Sequence, residues 1–147
     1  LSRHFIAPAL FAACVFAAAA PAAATDKADA VALVTRYFAT GDAALCAPGT
    51  QIVDDFAPFV WSGPKACATW AADWGAFQKA NKFVGTGLKL GTATTVKIVG
   101  ATAYVVVPGT ITATAEGKPV VVKGVVAAAL KKAKAGWLLT GWSWADQ

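Results

Sequence analysis

The back half of the chain dictates most of what it can become. Four runs rich in Val, Thr, Ile and Trp cover Leu88–Val99, Ala101–Ala115, Val120–Leu130 and Trp137–Ala145. Only short turn signals separate them: Gly100, Glu116-Gly117, and the stretch from Lys131 to Gly136. Gaps that short join antiparallel neighbours by hairpins, so a four-stranded meander is expected. Thr110, Thr112 and Thr114 alternate with Ile111, Ala113 and Ala115, as a strand with one wet face requires. Pro108-Gly109 interrupts that strand and predicts a bulge or sharp bend.

Such a sheet needs something to cover its apolar face, and the preceding segment supplies two amphipathic helices. Thr25 can cap the first, with Asp26 and Asp29 in its first turn. Ala30, Leu33, Val34, Tyr37 and Phe38 fall on one face, and Gly41 stops the helix. Cys46-Ala-Pro48-Gly49 reads as a loop, and Ile52–Trp61 as a short edge strand or irregular segment. Gly63-Pro64 opens a second helix, with proline at its first position. Cys67, Trp70, Trp74 and Phe77 form its apolar stripe, and Asn81-Lys82 ends it. Helices first and a meander afterwards argue an α+β fold with the helices inside a curved, mainly antiparallel sheet.

The chain of 147 residues is long enough for one such domain and not for two. Its first 24 residues stand apart. Arg3 and His4 precede the apolar run Phe5–Ala20, and Pro21-Ala-Ala-Ala24 follows. That is the layout of a secretory signal, with cleavage expected after Ala24 and a mature domain at 25–147. The run is short for a membrane span and lacks a charged stop-transfer flank, so no stable span is expected after cleavage. Cys14 follows Phe11-Ala-Ala, a faint lipoprotein box whose apolar run continues past the cysteine, which argues against lipidation. The chain starts on Leu and contains no Met, as a bacterial non-AUG start read literally would give. The expected location is periplasmic or secreted. There Cys46 and Cys67 can bridge, two buried thiols being the alternative.

The residue types also narrow the chemistry. His4 is the single histidine and belongs to the leader, which removes the commonest general base and any His-based metal site. Neither a phosphate-binding loop nor a nucleophile elbow is present. Lys131, Lys132 and Lys134 cluster at a turn without arginine, which reads as a solvated turn, not a nucleic-acid surface. Lys123 interrupts a Val-rich strand as an outer-face residue. No metal or cofactor is expected.

The order helix, short strand, helix, meander resembles the nuclear transport factor 2-like superfamily, which includes SnoaL-like cyclases, ketosteroid isomerase and scytalone dehydratase. The residues carrying the resemblance are Val34-Thr-Arg36-Tyr37-Phe38 with Gly41-Asp42, Trp61-Ser62-Gly63-Pro64-Lys65, and the terminal hairpin Leu130–Trp144 with Gly136-Trp137 and Trp142-Ser-Trp144. The resemblance implies a cystatin-like cone: a bent sheet wrapped around helices, a pocket at its open end, and often a homodimer through the outer sheet face. By analogy with ketosteroid isomerase, Asp54 would shuttle a proton and Tyr37 would donate a hydrogen bond. That family's second oxyanion donor falls near Val126 or Ala127, and the Asp–His pair of the cyclases is absent.

The alanines leave volume that large rings can line, and Trp61, Trp70, Trp74, Tyr104 and Trp142 are the expected lining of a pocket for a small apolar molecule. Three functions follow. One is a ligand-binding module without turnover. Another is an isomerase, dehydratase or cyclase using Asp54 and Tyr37. The third is a protein-partner role for the outer sheet face.

Overall fold

A computed structural model describes residues 22–147. Residues 1–21, which hold most of the expected leader and Cys14, lie outside the described residues. Helix α1 (Ala22–Thr40) is followed by a 3-10 turn at Ala43–Leu45, strands β1 (Cys46–Val53) and β2 (Val60–Ser62), helix α2 (Ala66–Ala80), and strands β3 (Phe83–Leu90), β4 (Thr95–Val99), β5 (Thr102–Ala115), β6 (Lys118–Ala133) and β7 (Gly136–Asp146). No helix among the described residues is long and apolar enough to cross a membrane.

The sheet runs β2-β1-β7-β6-β5-β3, with β4 also on β5. Every pairing is antiparallel except β1 with β7. The terminal strands β2 and β3 do not pair, so the sheet is curled but not closed. The fold is the expected α+β arrangement, with α1 packed against β7, β4 and β5, and α2 against β1, β2 and β3.

Local chemistry explains the boundaries. Ala30, Leu33, Val34 and Tyr37 are buried on one stripe of α1, as their spacing requires. Gly41 then takes a left-handed φ of 65°, and its N–H donates to the Tyr37 carbonyl. Asp42 caps the 3-10 turn by accepting from Ala44 N at 2.9 Å.

Helix α2 starts two residues later than its proline suggests. Gly63 sits at φ 90°, Pro64 and Lys65 complete a turn, and Lys65 is not helical. The segment read as a loop at Cys46–Gly49 is the start of β1. Its pairing with β7 is irregular between Cys46 and Gln51, and β2 covers only Gln51–Val53. Pro48 therefore sits where no ladder needs its missing N–H. Cys46 and Cys67 are bonded, tying the start of β1 to the first turn of α2. Closing a loop of this length stabilises the fold by about 3 kcal/mol.

The largest departure concerns the run Leu88–Val99. It is two strands, not one, broken at Gly91–Thr94. Both halves lie on the same edge of β5, β3 along Gly109–Ala115 and β4 along Thr102–Val106. The break falls opposite Pro108, whose N–H is absent but whose carbonyl accepts from Gly91 N at 2.8 Å. The irregularity expected at Pro108-Gly109 therefore appears in the neighbour, while β5 and β6 stay in register throughout.

Gly109 and Gly124 are directly paired on the inner face, and Trp144 lies across both. A Cβ at Gly124 would stand 2.3 Å from the Trp144 ring, and one at Gly109 would stand 2.9 Å from it. The ring is held by its Nε1, which donates to Asp146 Oδ1 at 2.7 Å. We expect Gly124→Ala to displace Trp144 and destabilise the domain by about 1–3 kcal/mol, seen as a lower urea midpoint with unchanged slope. An unaltered midpoint would show that the paired glycines are not required.

Candidate functional site

Between α1, α2 and the inner sheet face lies a cavity of about 450 Å³. Its wall is largely aromatic, including Tyr37 from α1, Trp70, Trp74 and Phe77 from α2, and Trp142 and Trp144 from β7. The rings brace one another. Trp70 meets Trp142 edge-on at 4.8 Å between centroids, and Phe38 meets Trp142 at 5.0 Å. Trp74 stacks with Phe77 at 5.6 Å. Ile111, Ala113, Val120 and Val122 close the sheet side. The α2 stripe is only half-buried because it faces this space.

Among the described residues, Asp54 is the one buried charge in the core. It sits just past β1, where the chain turns back to β2 and Asp54 N–H donates to the Phe59 carbonyl at 3.1 Å. Its Oδ2 accepts from Trp70 Nε1 at 2.8 Å, and its Oδ1 accepts from the Asp55 backbone N–H at 2.9 Å. Burial pushes its carboxyl up to about 6, and these two donors restrain the rise. At neutral pH it is therefore largely ionised but close to taking a proton.

Tyr37 is 2% exposed and also lines the cavity. Burial pushes its hydroxyl up to about 12. The Trp142 indole N–H eases that rise, and the Asp54 charge adds to it. Trp142 Nε1 nevertheless lacks a well-formed hydrogen bond, as does Thr86 Oγ1 on the same wall. Tyr37 thus stays protonated across the physiological range, beside a carboxylate that does not. Asp55 and Asp146 stand at the exposed rim. Among the described residues, no cluster of His, Cys, Asp and Glu is arranged to hold a metal ion.

The structure brings together Asp54, Tyr37, Trp70, Trp74 and Trp142 from the sequence expectation. Two other residues lie elsewhere. Trp61 is buried in the core against Phe56, and its Nε1 donates to Asp73 at 2.7 Å. Tyr104 lies on the opposite sheet face and is 44% exposed, because Ala103 and Val105 take the inward positions of that strand. Phe77 was recognised on the helix stripe but not assigned to the wall. Asp146 and Trp144 were missed, although their two-residue spacing already placed both on the face that holds Trp142.

No protein-family profile matches the sequence, and no curated protein matches it. Solved structures do. The chain superposes on a nuclear transport factor 2-like protein with a cystatin-like fold from Novosphingobium aromaticivorans, with a TM-score of 0.69 and 21% identity over 85% of this chain and 84% of that one. The fold is the cystatin-like cone. It is shared by a nuclear transport factor 2-like superfamily protein from Salmonella enterica serovar Typhimurium, at TM-score 0.67 and 16% identity over 84% and 92% of the two chains. A candidate scytalone dehydratase from N. aromaticivorans has the same cone at TM-score 0.69 and 14% identity, over 85% and 86%.

The cone predicts a titration with a definite sign. A carboxyl moved from 3.8 to about 6 by burial favours folding most at low pH. This contribution is lost as pH rises from about 4 to about 6 and stays lost above that. Asp54→Asn has no such dependence. Its stability relative to the wild type should therefore climb across that window, by an amount on the order of 3 kcal/mol. Carboxyl carbon NMR should place the Asp54 midpoint near 6, and Trp70→Phe should move it higher by removing a donor to the ionised form. A midpoint near 4 in the wild type would contradict the burial argument.

Proposed function

We propose that this domain binds a small, largely apolar ligand inside the cone. The observation that carries the reading is the cavity itself: about 450 Å³ of space walled by aromatic and aliphatic side chains, with a buried polar end at Asp54 and Tyr37. The Asp54 carboxylate and the Tyr37 hydroxyl on its lining favour a ligand that also carries a hydrogen-bonding group. Export is part of the same proposal. It is supported by the leader-like first 24 residues and by the Cys46–Cys67 bond. From Ala24 onward, the first buried side chain of α1 is Ala30.

A neutral apolar dye, N-phenyl-1-naphthylamine, tests the binding. We expect saturable fluorescence enhancement with one dye per chain. Ala71→Trp, on the exposed mouth side of α2, should weaken it about tenfold or more by filling the entrance, without loss of stability. Non-saturable binding, or binding indifferent to that substitution, counts against the cavity.

A second reading is supported by the Asp54–Tyr37 pair. A carboxylate titrating near 6 beside a protonated phenol can take a proton from carbon while the phenol hydrogen-bonds the developing oxyanion. Ketosteroid isomerase, which the chain resembles, uses such a pair, and the candidate scytalone dehydratase shares the cone. Hydrogen–deuterium exchange next to the carbonyl of cyclic ketones should then accelerate with a midpoint near pH 6 and fall by about 10²–10⁴ in Asp54→Asn. Exchange at the uncatalysed rate across such ketones would leave binding as the sole role.

A further inference from the structure

We infer that the cavity selects a cation: a small molecule bearing an amine or quaternary ammonium group on an apolar or aromatic body. The inference rests on the ligand-binding reading above and gives that ligand a charge. The chain carries a formal net charge of +5, yet no lysine, arginine or histidine lines the cavity among the described residues. The charged side chains that do line it are Asp54, Asp55 and Asp146. The sequence is basic and its cavity is acidic.

The rest of the wall is suited to the same class of ligand. Trp and Tyr faces are negative and attract cations, most strongly where water is excluded. Trp70, Trp74, Trp142 and Tyr37 offer such rings around one side of the space, with Asp54 hydrogen-bonded into the Trp70 edge.

The alternatives can be weighed by what each does to Asp54, which is 9% exposed. An anionic ligand would face a buried like charge and the rim carboxylates, an unfavourable interaction in low dielectric. A neutral ligand would strip the remaining water from Asp54 and leave its charge with Trp70 Nε1 and Asp55 N–H alone. A cation within a few ångströms offsets that desolvation directly. Among the described residues, no basic side chain forms an ion pair with Asp54, so a cationic ligand would meet a carboxylate that no protein cation neutralises.

Phenyltrimethylammonium and its uncharged isostere tert-butylbenzene differ only in the central atom and its charge. Titrated against the full domain at pH 8 and followed by tryptophan fluorescence, the cation should bind about tenfold more tightly. The same unmutated protein at pH 5 should lose most of that ratio, because Asp54 takes up a proton. Of the other groups facing Asp54, Tyr37 stays protonated throughout, and Asp55 and Asp146 lie at the rim. Asp54→Asn should bring the ratio close to one at pH 8. Equal affinities for the two probes, or a preference for tert-butylbenzene, overturn the charge preference while the dye result still supports a binding cavity. Failure of both probes in a protein that binds the neutral dye also overturns it. Failure of all three removes the binding reading itself.

Discussion

The β5–β6 ladder is the element on which everything else hangs. The 14 residues of β5 pair without interruption against β6, and the remaining strands attach to one side or the other of this ribbon. A ribbon of that length must twist. Where two of its glycines face each other, Trp144 lies across them. The curvature gives the sheet an inside, and the helices lie within it. Because the sheet path ends at β2 and β3 without closing, part of that inside stays unfilled. The cavity follows from a sheet that curves without closing.

Much of this architecture was legible because it rests on period and turn chemistry. The stripe Ala30, Leu33, Val34, Tyr37 declared α1, and the Thr/Ile/Ala alternation declared the faces of β5. What was not legible depended on partners distant in sequence. Leu88–Val99 reads as a continuous strand because its one local break signal, the lone Gly91, is weak by itself. The cause is Pro108, on the neighbouring strand. The parallel pairing of β1 with β7 joins the two ends of the domain and has no local signature. Pro64 at the predicted helix start was misleading because Gly63 and Lys65 complete a turn around it first.

The site shows the same division. Asp54 and Tyr37 were identifiable through a resemblance, and the cone places them on one cavity wall. Tyr104 carries a large ring, but the alternation of β5 gives the inward positions to its neighbours Ala103 and Val105. Trp61 is a different case. Its strand position does point inward, but it points at Asp73 and Phe56 in the core and not at the open space. Inward is not the same as pocket-lining, and only the packing of α2 separates the two.

An ionised carboxylate in an apolar wall works against folding at neutral pH, and Asp54 is held between two elements that the disulfide also joins. Asp54 follows β1 directly, and Trp70, which donates to it, lies one helical turn beyond Cys67. The Cys46–Cys67 bond joins those same two elements. Its stabilisation, about 3 kcal/mol, is comparable in size and opposite in sign to the penalty of keeping Asp54 charged. The bond also limits how far α2 can move from β1. A perturbed carboxylate persists where the surrounding structure cannot relax around it. Here the covalent bond fixes the strand and the helix between which the carboxylate is held, so the acidity of the cavity is set by the frame and not by the aspartate alone.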